Sequence, residues 1–351
     1  MPLTALPVEV RLYILGYLDD LRSLEAAIFS SKAFRVVYEH HGNSVLKSML
    51  RNTLGSDLLP LAILHWELSQ TRWWEQDPAL AHNWLNIRFD AIRDPGFIWT
   101  ATVEQKRDML EFFDHVRFLA DDYMNFALDR FNSRYEGREM PASRSEKDRV
   151  VRCLYLQDIL IQAIASRQWD PTKTMHDVQL PWKRFVSSFE LWEIEQLAYM
   201  NEWVFSIIPY PPMLDMRRPR LIELSTVQGK DLLTHHGLAL LREVRIPINY
   251  AHRHQIQVVW EWYTDLKAYS NDICTFLGRV GRTADVQAAE PRFKDDDAGP
   301  RKLWAWARAD PKFDIDKLRR GFGHRRYGCL VLDEKRLARS RLMEVSRFDE
   351  E

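Results

Sequence analysis

Histidine comes in pairs in this chain: His40-His41, His235-His236, and His252 with His254. Neighbouring residues on a helix project about 100° apart, so neither adjacent pair grips one ion together. His252 and His254 could do so from an extended segment, but no Cys or carboxylate set completes a ligand group, and no metal is expected. Adjacent carboxylates occur at Asp19-Asp20 and Asp121-Asp122. Acid–base catalysis needs two carboxyls facing one substrate across a cleft, so these read as a helix cap and a solvated face. Gly321, Gly323 and Gly328 have neither the spacing nor the preceding strand of a phosphate loop, and no GxSxG is present. No catalytic residue is assigned, no cofactor is expected, and the chain is not read as an enzyme. The densest basic cluster surrounds Phe322 and Tyr327. Arg319, Arg320, Arg325 and Arg326, with His324, form a candidate anion site there. Its plainer reading is a solvated surface, or a set of pairs for the acidic run Asp295-Asp296-Asp297. Trp66, Trp73, Trp74 and Trp84 could stack on bases or sugars, but are read first as wedges between packed helices.

Helices must position these groups. From 103 to about 135, Met109, Phe113, Val116, Ala120, Tyr123, Ala127 and Phe131 keep mostly three-four spacing, which predicts a long helix with one wide core face. Pro141, Ser143 and Ser145 make a polar turn before a second helix at about 146–168, with Val150, Leu154, Ile161 and Ile164 on its core side. A loop follows at 170–187, then a third helix at 189–208, stopped by Pro209, Pro211 and Pro212. A fourth is predicted at 254–280. Nothing alternates with period two for long, so the fold class is all-α, with at most a short strand at Cys329–Leu332. The run 281–300 turns to Gly, Ala, Asp, Pro and charge and reads as a flexible linker or loop.

The bounds agree with an intracellular protein of the cytoplasm or nucleus. Of 351 residues 46% are hydrophobic and 13 are Trp, enough for an ample core. A formal charge of −1 argues against a dedicated nucleic-acid binder. Cys153, Cys274 and Cys329 are odd in number and far apart, giving neither a disulfide framework nor zinc spacing. No basic segment leads into an apolar core at the N-terminus, so no signal peptide is expected. The apolar runs are too short to span a bilayer, and no membrane association is expected.

The first fifty residues carry the most information. In LPVEVRLYILGYL, from Leu6 to Leu18, Pro7 suits the first helical position and Glu9 falls in the first turn. Val8, Leu12 and Leu15 lie along one stripe, and Val10, Ile14, Tyr17 and Leu18 along another. Two stripes on one short helix imply burial from two sides. Asp19-Asp20 caps a second helix bearing Leu21, Leu24, Ala27 and Ile28, and Ser30-Ser31 precedes a third bearing Phe34, Val37 and Tyr38. Asn43 could cap a short helix through Val45, Leu46 and Met49, and LGSDLLPLAILHWEL reads as a turn and another helix. Three short helices in about 40 residues bury too little surface to stand alone.

Residues 4–41 resemble an F-box, in the divergent form found in many fungal F-box-like proteins. The Leu-Pro opening, Glu9, the Ile14/Leu15/Leu18 pattern, Asp20-Leu21 and Ser31-Lys32-Ala33-Phe34 carry the resemblance, with Phe34 where a Trp is often found. The closing segment, a Gly turn, an apolar run, Asp-Glu and Arg-Leu, is similar to the ends of the same proteins. The resemblance implies a domain at 1–50 packed on a helical body at 51–280, then the linker 281–300 and a C-terminal segment 301–351 packing on the body. It also implies docking on a Skp-family adaptor, and through it a cullin, while the body recruits a protein substrate. Leu6, Pro7, Val10, Ile14, Leu15, Leu18, Leu21, Leu24 and Phe34 would form the partner-binding unit. Within it Leu6, Pro7, Val10, Ile14 and Leu18 would face the adaptor, and Val8, Leu12 and Leu15 the chain's own helices. The alternatives are a scaffold of the same fold without ligase function, and a small-molecule binder or enzyme in the Trp-rich body.

Overall fold

Every apolar residue of the series between 109 and 131 is buried on one helix, Val103–Arg134. It belongs to a computed structural model that describes residues 6–70, 78–94, 97–134, 140–165, 189–207, 238, 242, 293, 295–308 and 331–340. Those residues form nine helices and no strand. In chain order they are α1 (Val8–Gly16), α2 (Leu21–Ser30), α3 (Lys32–Gln70), α4 (Pro78–Arg93), α5 (Val103–Arg134), α6 (Arg144–Ala165), α7 (Leu191–Ile207), α8 (Gly299–Arg308) and α9 (Glu334–Ser340). The protein is mainly α-helical. Val331 and Leu332 form a tight turn into α9 where the sequence suggested a strand. The helix expected at 254–280, the loop at 170–187 and the proline stop at 209–212 lie outside the described residues, as do Trp73, Trp74, His235, His236, His252, His254, Cys274 and Cys329.

Helix α3 is the spine. His41 (φ −130°, ψ 17°) and Gly55 (φ 66°, ψ −170°) break it into three segments, which correspond to the three short helices expected there. At Gly55 the backbone enters a region that only glycine occupies without strain. Pro60 follows close behind, near a helix start, where a missing N–H is least costly. The spine packs against α1 and α2 at one end, α4 at the other, and α5 and α6 along its length. The core is continuous from Leu15 to Leu337 and crosses residue 50 within α3. Trp66 and Trp84 sit half-buried against it, as wedges.

Reciprocal caps start the two long helices. Thr102 Oγ1 accepts from Gln105 N at 3.2 Å while Gln105 Oε1 accepts from Thr102 N at 2.9 Å. Ser143 and Glu146 do the same at 3.1 and 2.9 Å, so the polar turn before α6 is a capping box. Tyr123 and Trp203 meet edge-to-face at 5.1 Å, joining α5 to α7.

Helix α6 departs from the one-faced amphipathic expectation. Every residue from Arg149 to Leu160 is buried, including Arg149, Arg152, Gln157 and Asp158. Burying charge is tolerated only with paired, hydrogen-bonded partners. Arg149, 1% exposed, forks onto Asp295 at 2.6 and 2.8 Å and also donates to Asp333 at 2.7 Å and Val331 O at 2.8 Å. Burial alone would raise the Asp295 carboxyl, but the Arg149 guanidinium holds it below the ordinary range. One turn earlier, Glu146 accepts two bonds from Arg336 at 2.7 and 2.8 Å, and Arg336 also caps Met140 O and Pro141 O.

This clasp corrects the linker reading of 281–300 over its last residues. Phe293 is buried and stacked on Phe189 at 5.7 Å, Asp295 and Asp297 pair with Arg149, and Gly299 and Pro300 are buried. Composition hid this, because the apolar and ionic partners lie more than a hundred residues away. The basic cluster at 319–326 lies outside the described residues; among the described residues Asp295 pairs with Arg149 and lies 3.8 Å from Arg152.

Candidate partner-binding surface

Helix α1 has Pro7 at its N-cap (φ −57°, ψ 154°) and so starts at Val8, one residue after the expected start, and Arg11 N closes the first turn on Pro7 O at 3.1 Å. Its far end is fixed by Asn52, whose amide donates to Gly16 O at 2.9 Å. Gly16 lies so close to α3 that an added Cβ would stand 2.8 Å from Ser48 Cβ. Arg11 reaches Ala33 O at 3.2 Å, tying α1 to the start of α3. Asp20 caps α2 by accepting from Ser23 N at 2.7 Å.

The three-helix unit is locked to the body. Arg107 on α5 pairs with Glu25 on α2 at 2.7 Å, and Arg117 donates to Asp19 O at 3.2 Å. The buried ammonium of Lys106 bonds Asn43 Oδ1 and Ala101 O and lies 5.3 Å from the Trp99 ring. Burial pushes this ammonium below its ordinary value, and Lys47 adds repulsion.

With the inner face fixed by Leu15 and Gly16, helical geometry sets the outer one. Steps of about 100° place Val10, Tyr13 and Tyr17 opposite Leu15. All three are exposed, at 41%, 63% and 55%, and the two tyrosine rings lie 4.4 Å apart. Val8, on the Leu15 side of the first turn, is exposed too, and Phe29 and Val36 are the further exposed apolar side chains of α2 and early α3. The patch comprises large side chains on a helix that the rest of the unit holds rigidly, an arrangement that suits a partner surface.

The sequence-derived set divides. Pro7 and Val10 are exposed, while Leu6, Ile14 and Leu18 are half-buried. Leu15, Leu21, Leu24 and Phe34 are buried in the core and offer no surface to a partner, which corrects their assignment. Their apolar character is spent on holding α1 and α2 against α3. Val8, assigned to the inner stripe, is exposed, because α1 overhangs at its first turn, whereas Leu12 and Leu15 do face inward. The sequence reading puts Tyr17 in the outer stripe without making it a docking residue and leaves Tyr13 out. Their i, i+4 spacing was the signal. Arg319, Arg320, Arg325 and Arg326 lie outside the described residues. His40 and His41 sit exposed at the first break of α3.

No helix among the described residues is long and apolar enough to cross a membrane. Comparison with known proteins finds no matching family model, no similar curated protein and no similar solved structure.

Proposed function

We propose that the chain is an F-box-type adaptor: α1, α2 and the first segment of α3 dock on a Skp-family protein of a cullin–RING ubiquitin ligase, and the helical body holds a protein substrate. The observation that carries this reading is the outward stripe Val10, Tyr13 and Tyr17, left exposed on a helix whose opposite face packs on the core through Leu12, Leu15 and Gly16. The F-box-like sequence of residues 4–41 supports the same assignment. The adaptor acts without a catalytic group of its own; it places a substrate near a ligase.

A pull-down and titration with a purified Skp-family protein tests it. Tyr13→Ala with Tyr17→Ala weakens binding at least tenfold, as expected for aromatic anchors of an interface, with little change in thermal unfolding. Leu15→Ala lowers stability instead, by about 2–5 kcal/mol. Absence of binding by the unaltered chain would overturn the ligase reading and leave the scaffold alternative.

A further inference from the structure

Arg152 on α6 stands between two carboxyls and is hydrogen-bonded to neither. Its Nη1 lies 3.6 Å from Glu193 Oε1 on α7, and its Nη2 lies 3.8 Å from Asp295 Oδ2. Arg152 Nη1 and Glu193 Oε1 are buried and have no hydrogen-bond partner among the described residues. The guanidinium also sits 4.5 Å over the Phe293 ring, which stacks on Phe189 at 5.7 Å. One buried cation thus joins α7 to the segment that leads into α8.

The two carboxyls differ in what else holds them. Asp295 takes the fork from Arg149 at 2.6 and 2.8 Å, which keeps it charged against the cost of burial. Glu193 has no fork. Burial raises its carboxyl to about 7 and Glu190 adds repulsion, while Arg152 and the Glu190 and Phe293 N–H groups oppose the rise. The Cys153 thiol beside it on α6 is pushed up to about 12 by burial and stays neutral. Asp148, one turn before Arg152, pairs with Arg144 at 3.7 Å. The charge around Arg152 is already uneven: Asp295, Asp297 and Asp333 share Arg149 and Arg152, whereas Arg336 is matched by Glu146. An ionised Glu193 is a fourth carboxylate on two cations, away from water.

We propose that Glu193 is a proton-operated latch on the segment 295–308. Protonated, it leaves Arg152 to Asp295 and Phe293, and the segment is held. When the proton passes to solvent, the carboxylate closes the gap to Arg152, draws the guanidinium from Asp295 and sets two carboxylates against each other. The segment then loosens, while the core between α3 and α5 is untouched. The hold on the C-terminal segment is therefore set by pH near neutrality.

The test is hydrogen exchange of the full chain, read by mass spectrometry at about pH 6 and about pH 8, on either side of the Glu193 value of about 7, and corrected for intrinsic exchange. Protection of peptides within 295–308 falls about tenfold between the two, the effect of one unit of altered proton affinity, while α5 peptides keep theirs. Glu193→Gln holds the segment at the higher pH as firmly as at the lower. Glu193→Leu gives the same readout should the first variant fail to fold. Equal protection of 295–308 at both values, a fall shared equally by α5, or a fall that persists in a folded variant would each overturn the latch.

Discussion

Glu193 is a buried carboxyl on α7 whose surroundings disfavour its charge. Burial raises its carboxyl to about 7, because Arg152, at 3.6 Å, stands too far away for a hydrogen bond to offset the loss of water. Glu190 adds repulsion, and the Glu190 N–H at 2.9 Å helps only in part. The folded protein therefore holds this proton more tightly than the unfolded chain does. The resulting stability is fully present below the ordinary carboxylate value and is lost as pH rises through about 7. Between pH about 5 and 8 the loss from this one group amounts to about 3 kcal/mol. Thermal unfolding as a function of pH checks this: Glu193→Gln flattens the profile over that interval and is the more stable form above neutrality. An unchanged slope in the variant would assign the pH dependence elsewhere.

Among the elements, α5 and α7 were legible to within a few residues, because their three-four spacing needs no partner to be seen. The segmentation of α3 was legible too, since Gly55 and the polar residues near Asn43 interrupt its pattern. What stayed hidden was the all-round burial of α6: its polar side finds carboxylates 146 and 184 residues further along. The candidate surface was half legible, because two apolar stripes on α1 declare two contacts without saying which is which. Packing at Gly16 settles that choice. Gly16→Ala drives a methyl into Ser48 and tilts α1, for a loss of about 1–3 kcal/mol. Ser48→Gly in the same chain removes the obstruction. Denaturant unfolding of both single variants and the double gives a non-additive cycle in which the second change recovers part of the loss. Strict additivity would show that α1 rests on α3 less tightly than the 2.8 Å approach requires.

At the scale of the molecule, 295–308 and 331–340 are held against α6 by Arg149 and Arg336 rather than by apolar area alone. Arg149→Ala removes the cation that Asp295 and Asp333 share and leaves Asp295 with only Arg152 at 3.8 Å, which costs about 3–5 kcal/mol. Arg149→Met, which keeps the volume, is still destabilising, because the carboxylates stay. Combining it with Asp295→Asn and Asp333→Asn restores part of the loss. Calorimetric melting of this series checks the order, and a full return to normal stability by Arg149→Met alone would show that the clasp is packing rather than charge.

The same clasp has a consequence during synthesis. A ribosome adds about 5–20 residues each second, so the 146 residues separating Arg149 from Asp295 take roughly 7–30 s to emerge. Throughout that interval the nascent α6 carries a guanidinium with no carboxylate to receive it, and it resists being closed into the core. The N-terminal helices wait as well, since α3 is completed only when α6 lies along it. Closure of α6 into the body therefore waits for Asp295 and Asp333. Stalled chains ending before Asp333 expose the α3 and α6 faces, and these are the species that a chaperone would meet.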